Sequence, residues 1–199
     1  CHHVYNYGAS LQAYALQHYL ESQGHSVRII DFIPWYHQDR YNIFWTGNGV
    51  HGWKHLLNDK YSPLRYLYKP LKAWKSGMFK TWGRKAAFDR FEKEHYHLTS
   101  HSYTTSKELA DNPPQADCYV AGSDQIWNTY SMNGKEPAYY LDFGSDDVKR
   151  ISYAASLSTP NIASGWEKFV REKVSRLNGV SVREKSGVDI LTKLGIKDV

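Results

Sequence analysis

The chain has 199 residues, 41% of them hydrophobic, and a formal net charge of +5. This length suits one large domain, or one domain with an insertion, whose core needs no disulfide staples. Two cysteines without a CxxC pair exclude a disulfide framework and favour a reduced, cytosolic setting. No apolar run approaches the about 18–20 residues that span a bilayer.

The positive charge is concentrated in residues 35–98, which we call the basic insertion. It contains 12 Lys and Arg against 5 Asp and Glu, and 15 of the 30 aromatic residues, leaving 13 Lys and Arg against 15 Asp and Glu elsewhere. One interpretation is a helical insertion with aromatic side chains inside and cations outside. The alternatives are a surface for a polyanionic glycan or for an acidic membrane. Nucleic acid is not an expected partner, because no recognised binding module accompanies the charge.

The predicted elements begin with a strand, a turn, a helix and a second strand. Residues 1–10 end a strand and form a turn, and a helix over 9–23 follows because apolar residues recur on one face. Gly24 is well placed to end that helix. A strand over 26–34 comes next. This order predicts a right-handed βαβ unit.

The alternation of strands and helices resumes near the end of the basic insertion. The later predicted elements are a helix over 79–95, a helix over 106–110, strands over 117–121 and 149–155, a helix over 164–177, a strand over 180–182 and a helix over 184–194. Such alternation predicts an α/β fold with a Rossmann-like, doubly wound, mainly parallel sheet, interrupted by the helical, aromatic-rich insertion.

Four polar segments lie at the ends of predicted strands. They are residues 2–10, 122–128, 156–159 and 183–186, which we call the first to fourth strand-end segments. In doubly wound sheets, ligands bind beyond the carboxyl ends of the strands. Candidate site residues are therefore taken from these segments.

The first strand-end segment supplies Asn6, Tyr7, Gly8 and Ser10 at the start of a predicted helix. Gly8 gives the turn backbone freedom. Backbone N–H groups at a helix N-terminus can cradle an anion. The alternative is that Asn6 or Ser10 simply caps the helix.

The second strand-end segment, GSDQIWN, directly follows a short apolar strand. Gly122 lets the backbone turn, and Ser123 and Gln125 offer polar donors. Asp124 could act as a base or orient a substrate hydroxyl. The alternative is a turn into a helix capped by Ser123 or Asp124, with Trp127 as a core anchor.

The third and fourth strand-end segments contribute one residue each. Small residues leading to Ser156 allow close approach of a ligand, or tight packing in a sheet. Arg183 can hold a carboxylate or phosphate through two parallel hydrogen bonds. The alternative is a surface pair with Glu184 or Asp189.

No metal site is expected from the sequence. The side chains of His2 and His3 would diverge in a strand, and no HExxH motif or Cys/His ligand spacing occurs. A P-loop is also absent from the chain.

The strand-end segments, in this order, resemble the polysaccharide pyruvyl transferase family. The matching pieces extend from about residue 5 to residue 196 and are NYGASLQAYALQHYL, HSVRIIDFIP, DCYVAGSDQIWN, AYYLDFG, KRISYAASL and SVREKSGVDILTKLGI. Each piece alone is a weak signal, whereas GSDQIWN followed by YAAS and SVRE is specific.

The resemblance implies a glycosyltransferase-B-like architecture, in which two Rossmann-like domains face each other across a cleft. Residues 1–199 would be the N-terminal domain, with the C-terminal domain absent, so these residues alone are expected to be inactive. The implied reaction transfers pyruvate from phosphoenolpyruvate to a sugar of a cell-surface or exported polysaccharide, as a cyclic ketal. The bond changes need no metal or other cofactor, since a general acid can protonate the enol methylene and cations can hold the phosphate.

For that reaction, Asp124 and Arg183 are the expected catalytic residues. Asp124 would position a sugar hydroxyl, Arg183 would meet an anionic group, and Asn6 and Tyr7 would orient acceptor or donor. The other expected substrate-binding residues are Gly8, Ser10, Gly122, Ser123, Gln125 and Ser156. The expected acceptor is a glycan or lipid-linked saccharide, handled in the cytoplasm at the inner face of the membrane.

Two other functions remain open at this point. One is a nucleotide-sugar glycosyltransferase on the same fold, which would bind its nucleotide mainly through the absent half. The other is a non-catalytic glycan-binding or assembly module that uses the basic insertion.

Overall fold

Helix α1 (Tyr7–Ser22) is the first element in a computed structural model that describes residues 2–38 and 78–199. The helix begins where Asn6 Oδ1 accepts hydrogen bonds from the backbone N–H groups of Gly8 (2.8 Å) and Ala9 (3.3 Å). It ends before Gly24, whose φ of +88° lies in the left-handed region that glycine tolerates. The predicted helix and its glycine stop are confirmed, with the start two residues earlier.

A buried glutamine ties α1 to the chain beyond helix α3 (Met78–His95). Gln17 is 3% exposed. Its amide nitrogen donates to the His95 carbonyl (3.1 Å) and its amide oxygen accepts from the His97 N–H (2.9 Å). Because a buried amide must satisfy both ends, these bonds fix where α1 lies along α3. Most of the basic insertion, residues 39–77, lies outside the described residues, so its predicted roles stay predictions.

The first parallel pair consists of β1 (Ile29–Phe32) and β2 (Leu98–Tyr103). Strand β1 is shorter than the predicted strand over 26–34, and the four-residue helix α2 (Trp35–Gln38) follows it. Strand β2 was not predicted. Its sequence, LTSHSY, is largely polar and only its last residue is buried, so it carries little of the apolar signal that marks a strand.

The second parallel pair consists of β3 (Cys118–Ala121) and β4 (Lys149–Ser152), in unbroken register. Helix α4 (Ser106–Asp111) precedes β3, and two 3₁₀ turns, Asn133–Lys135 and Pro137–Tyr140, lie between the strands. These two strands and α4 confirm the predicted elements at slightly different lengths.

The predicted strand over 180–182 forms no regular ladder in the described residues, where isolated parallel bridges link Gly179 to Ile151 of β4 and Val182 to Ala155. The backbone ladder beside β4 is incomplete because the Ser152 side chain bonds the backbone groups of Ser181. The Ser152 hydroxyl donates to the Ser181 carbonyl (3.0 Å) and accepts from the Ser181 N–H (2.9 Å). Helices α5 (Glu167–Val174) and α6 (Lys185–Lys193) complete the described chain and confirm two predicted helices.

The described residues therefore form a mixed α/β structure with short parallel sheets. Within them β1–β2 and β3–β4 are two separate two-stranded sheets, so the Rossmann-like, doubly wound sheet stays a prediction. Among the residues placed, no helix combines the length and apolar composition needed to cross a bilayer.

An aromatic core lies beneath the second sheet. Trp127 is fully buried and stacks on Tyr140, with ring centroids 5.5 Å apart and planes within 1°. The Trp127 indole N–H donates to the Tyr139 carbonyl (3.1 Å), and Phe169 of α5 meets Tyr140 edge to face. Buried aromatic pairs of this kind contribute beyond the area they bury. Trp127 is thus a core anchor, as the alternative interpretation of the second strand-end segment predicted.

A buried arginine holds the loop between the 3₁₀ turns and β4. Arg150 is 3% exposed, and its guanidinium donates only to backbone carbonyls within the described residues. The acceptors are Leu141, Phe143, Gly144, Ser145 and Val148, at 2.7–3.1 Å. The carbonyl dipoles of this loop therefore balance the buried positive charge.

Candidate functional site

Helix α1 packs directly on the second strand-end segment. A Cβ added to Gly122 would lie 2.9 Å from Gln12 Nε2 and 3.1 Å from Leu16 Cδ2, so a larger residue would require the ends of these two α1 side chains to move. The backbone turns here as predicted, with the Gly122 carbonyl accepting from the Asp124 N–H (3.0 Å), but Gly122 has no positive φ, so the turn does not use a left-handed conformation. The Gln12 amide, oriented to satisfy both groups, meets the Ser123 N–H (3.2 Å) and carbonyl (3.3 Å). The first and second segments are thereby joined.

The N-terminus of α1 is occupied by its own cap. Asn6 Oδ1 accepts hydrogen bonds from the N–H groups of Gly8 and Ala9, as the capping alternative predicted. These two donors are therefore not available to an anion. Gly8 lies in the first helical turn without positive φ, which corrects its expected role in backbone freedom. Ser10 is buried, and its carbonyl accepts from the Tyr96 hydroxyl (3.0 Å), so its surroundings are those of a packing residue.

Replacing Asn6 with alanine is expected to lower the free energy of unfolding by about 1 kcal/mol, because two N–H groups lose their acceptor. Asn6→Asp should keep most of the stability, since a carboxylate caps equally well and favours the helix dipole. Urea denaturation of both variants measures the difference. Asn161→Ala, at an exposed loop residue, is the control. Equal stability of Asn6→Ala and the control would contradict the capping role.

Tyr7 is the most exposed aromatic residue near this helix start. Its side chain is 66% exposed, although the ring contacts Phe88 at 4.9 Å between centroids. The Arg84 guanidinium lies over the Tyr7 ring (5.3 Å) and donates to the Tyr5 carbonyl (3.0 Å). An exposed aromatic face beside a cation is available for contact with a ligand.

The second and third strand-end segments are joined through the backbone. Asp124 accepts at its carbonyl from the Ser156 N–H (2.9 Å), and the Ser156 carbonyl accepts from the Trp127 N–H (3.1 Å). Asp124 Oδ1 accepts from the Gln125 N–H (2.7 Å), which stabilises a tight turn rather than the helix start of the alternative interpretation. Gln125 is exposed, whereas Ser156 is fully buried.

A left-handed residue turns the chain between β4 and Ser156. Ala154 has a φ of +52°, a conformation that is costly for a residue with a Cβ. The turn exposes Tyr153 (56%) and places Ala155 beside the fourth strand-end segment. There the Ala155 carbonyl accepts from the Arg183 N–H (3.1 Å). Backbone strain at a strand end is typical of functional sites.

Ser156, Arg183 and Glu184 form a closed cluster, which we call the hydroxyl–guanidinium cluster. The Ser156 hydroxyl donates to Glu184 Oε1 (2.5 Å) and accepts from Arg183 Nη2 (2.9 Å). Arg183 Nε and Nη2 also lie 3.1 Å and 3.0 Å from Glu184 Oε1. The predicted Arg183–Glu184 pair is therefore present, and Ser156 extends it. The side chain of Arg183 remains 45% exposed.

Two residues of this site were not predicted as functional. Gln12 bridges α1 to Ser123, and the sequence placed it only within a helix. Glu184 was considered only as a surface partner of Arg183, whereas its side chain turns inward to Ser156. A usable signal was its position directly after Arg183 at the start of a helix, where a carboxylate is common.

The two histidines of the first segment bind different carboxylates. His2 is buried with its Nε2 3.0 Å from Asp31, and His3 Nδ1 lies 3.1 Å from Glu92. Within residues 2–38 and 78–199, no group of three or more His, Cys, Asp and Glu side chains could hold a metal.

The His3–Glu92 contact makes stability depend on pH. The hydrogen bond that His3 donates to Glu92 raises the pKa of His3 above its ordinary value of 6.5, against burial, which lowers it. Because the folded pKa is the higher one, the stabilisation is complete below about pH 6.5 and is lost as pH rises through the folded pKa. We expect the free energy of unfolding to fall more between about pH 5 and pH 8 in the wild type than in Glu92→Gln. Urea denaturation across that range tests this, and identical pH profiles would contradict it.

Comparison with known proteins agrees with the family resemblance that the strand-end segments indicated. No curated protein and no solved structure matches the chain. The family model described as polysaccharide pyruvyl transferase matches residues 6–199, nearly the whole chain, including all the segments that build the cluster. This protein therefore belongs to the polysaccharide pyruvyl transferase family.

Proposed function

We propose that this protein transfers pyruvate from phosphoenolpyruvate to a sugar of a cell-surface or exported polysaccharide, forming a cyclic ketal. The observation that carries the proposal is the hydroxyl–guanidinium cluster. Ser156 and Glu184 hold one edge of the Arg183 guanidinium, while Nη1 makes no bond within the described residues. A fixed, half-exposed guanidinium suits an anionic donor such as phosphoenolpyruvate.

In the proposed reaction, one sugar hydroxyl adds to C2 of phosphoenolpyruvate as the methylene carbon takes a proton and becomes a methyl group. A second hydroxyl then forms the other C–O bond as the C2–O bond to phosphate breaks. The proton of that hydroxyl leaves with inorganic phosphate. Arg183 would hold the anionic donor and Asp124 would position a sugar hydroxyl. No metal or other cofactor is needed for these bond changes.

The first two strand-end segments would contribute binding groups around this centre. Tyr7, with its exposed ring, would orient acceptor or donor, and Asn6 would support it from the helix cap. The backbone of Gly122 and Ser123 is fixed by α1 and would line the same side as Gln125. The direct contacts proposed for Gly8 and Ser10 have less support, because one lies within the helix and the other is buried.

The parallel pairs support a finer architecture. Strand β3 runs into Gly122–Asp124, and β4 runs parallel to it and turns at Ala154 toward Ser156. Polar residues beyond the carboxyl ends of parallel strands are the arrangement of a Rossmann-like binding half. We infer that this chain is such a half of a glycosyltransferase-B-like protein, acting in the cytoplasm on a glycan or lipid-linked acceptor near the membrane's inner face. The basic insertion would provide the membrane contact.

The direct test incubates the protein, at its full natural length, with phosphoenolpyruvate and candidate glycans and measures phosphate release. The proposal expects release that depends on acceptor and produces a ketal detectable by mass spectrometry. Protection from thermal unfolding by a nucleotide sugar, and not by phosphoenolpyruvate, would instead identify a glycosyltransferase. No binding of either donor, with glycan binding that survives Asp124→Ala and Arg183→Ala, would identify a non-catalytic module.

A further inference from the structure

We propose that Glu184 is a positioning residue that fixes the Arg183 guanidinium for an incoming anionic donor, an inference that rests on the proposed function. Glu184 Oε1 is shared by three donor atoms. They are Ser156 Oγ (2.5 Å), Arg183 Nε (3.1 Å) and Arg183 Nη2 (3.0 Å). Since Nη2 also donates to Ser156 Oγ (2.9 Å), the three side chains form a closed triangle. The Nη1 end of Arg183 is left to face a ligand.

The triangle is anchored on a buried part of the site. Ser156 is fully buried, and its backbone bonds both Asp124 and Trp127. A guanidinium on a flexible stem loses conformational freedom when it binds an anion. Holding it beforehand against a buried hydroxyl removes part of that loss, which is how preorganised sites gain affinity.

Glu184 gives up two stabilising options to make this triangle. It is the N-cap residue of α6, yet its side chain makes no capping bond. Its Oε2 is buried and has no hydrogen-bond partner within the part of the chain that the structure describes. A buried carboxylate oxygen without a partner costs free energy, whereas a half-exposed ion pair contributes little. The contacts of Oε1 therefore come with an unpartnered Oε2 and an uncapped helix start, and positioning of Arg183 accounts for that cost.

A positioning role and a purely electrostatic role of Glu184 predict different effects when this residue is substituted. Glu184→Ala frees Arg183 and should lower both the affinity for phosphoenolpyruvate and kcat/KM by about 10- to 100-fold, the scale of a misplaced binding group. Glu184→Gln keeps an acceptor oxygen for Ser156 and Arg183 and removes a negative charge facing the anion. Its affinity should therefore stay within about threefold of the wild type, or be tighter.

The experiment measures binding of phosphoenolpyruvate and of inorganic phosphate by calorimetry to the full natural protein. It compares the wild type, Glu184→Ala, Glu184→Gln and Arg183→Ala, together with thermal midpoints and phosphate-release kinetics. Glu172→Ala, which removes an exposed carboxylate paired with Lys168 on α5, is the matched control and should behave as the wild type. The expected result is weak binding by Glu184→Ala at an unchanged or higher thermal midpoint, with rescue by Glu184→Gln.

Two outcomes would overturn the positioning role. One is wild-type affinity in Glu184→Ala. The other is a loss of affinity in both Glu184 variants that parallels a lower thermal midpoint, which indicates a merely structural role. Failure of the proposed function looks different: the wild type binds inorganic phosphate through Arg183 but not phosphoenolpyruvate. In that case the phosphate data alone still decide the role of Glu184.

Discussion

Replacing Arg183 with alanine is expected to lower kcat/KM for phosphoenolpyruvate-dependent phosphate release by about 10²–10³-fold, the scale of losing a preorganised donor to a developing anion. The side chain is held on one edge by Glu184 and Ser156 and is 45% exposed on the other side. Alanine removes the cation and its directed N–H groups together. Steady-state phosphate release with an excess of acceptor measures the loss.

Arg183→Lys separates charge from geometry. An ammonium keeps the positive charge, but one nitrogen cannot reproduce the planar fork that contacts Glu184, Ser156 and a ligand at once. We expect a loss of at least about tenfold in kcat/KM for this variant as well. Arg171→Ala, at an exposed residue of α5, is the control for removing a surface arginine. Full activity of Arg183→Ala, at an unchanged thermal midpoint, would remove Arg183 from the mechanism.

The sequence predicted well those elements whose apolar pattern or stop signal is local. Helix α1 has regularly spaced apolar residues in its sequence and a glycine just after it, and β3 is a short apolar run before Gly122. The buried residues of α1 are nevertheless Ser10 and Gln17, so the spacing predicted the helix and not the side chains that it buries. Strand β2 shows the limit, because LTSHSY alternates no apolar residues and is defined only by its partner β1. Its existence depends on a pairing across more than sixty intervening residues.

The candidate site shows the same division between features that the local sequence predicts and contacts that depend on residues distant in the chain. Placing Ser156 and Arg183 after strand ends predicted that both lie near a common edge, and the structure brings them to 2.9 Å. The strand-end rule gives proximity but not side-chain direction. It therefore could not show that Glu184 turns inward, or that Asn6 uses its oxygen on its own helix.

Those directions are set by local competition for hydrogen bonds. Asn6 has two helix N–H groups within reach and no nearer donor, so it caps. Glu184 is likewise the N-cap residue of its helix, α6. Its carboxylate, however, bonds the Ser156 hydroxyl and the Arg183 guanidinium instead of the helix N–H groups. Either choice would give the Glu184 carboxylate charge-assisted bonds, and the observed one lets Oε1 meet a hydroxyl and two guanidinium nitrogens at once.

Replacing Arg150 with methionine is expected to destabilise the protein by about 3–5 kcal/mol, among the largest effects of any single substitution. Methionine fills a similar apolar volume but donates no hydrogen bond. Five loop carbonyls between Leu141 and Val148 would lose their donor. Arg150→Lys should also destabilise, since three ammonium donors on a single nitrogen cannot reach five acceptors spread around a planar guanidinium.

Urea denaturation measures both losses, with Lys149→Met as the control. Lys149 is the exposed neighbour of Arg150 on β4, so the same change there should alter stability by no more than about 0.5 kcal/mol. A change of less than about 1 kcal/mol in Arg150→Met would show that the loop carbonyls find water or other donors.

Arg150 also links the stability of the fold to the candidate site. The loop that Arg150 holds packs on β3, because Gly144 lies so close to Tyr119 that a Cβ there would approach its ring to 2.9 Å. Strand β3 leads into Asp124, and β4, which carries Arg150, leads into Ser156. Arg150 is therefore expected to affect activity only through folding. In Arg150→Met, phosphate release per folded molecule should match the wild type at low temperature and fall along the unfolding curve on heating.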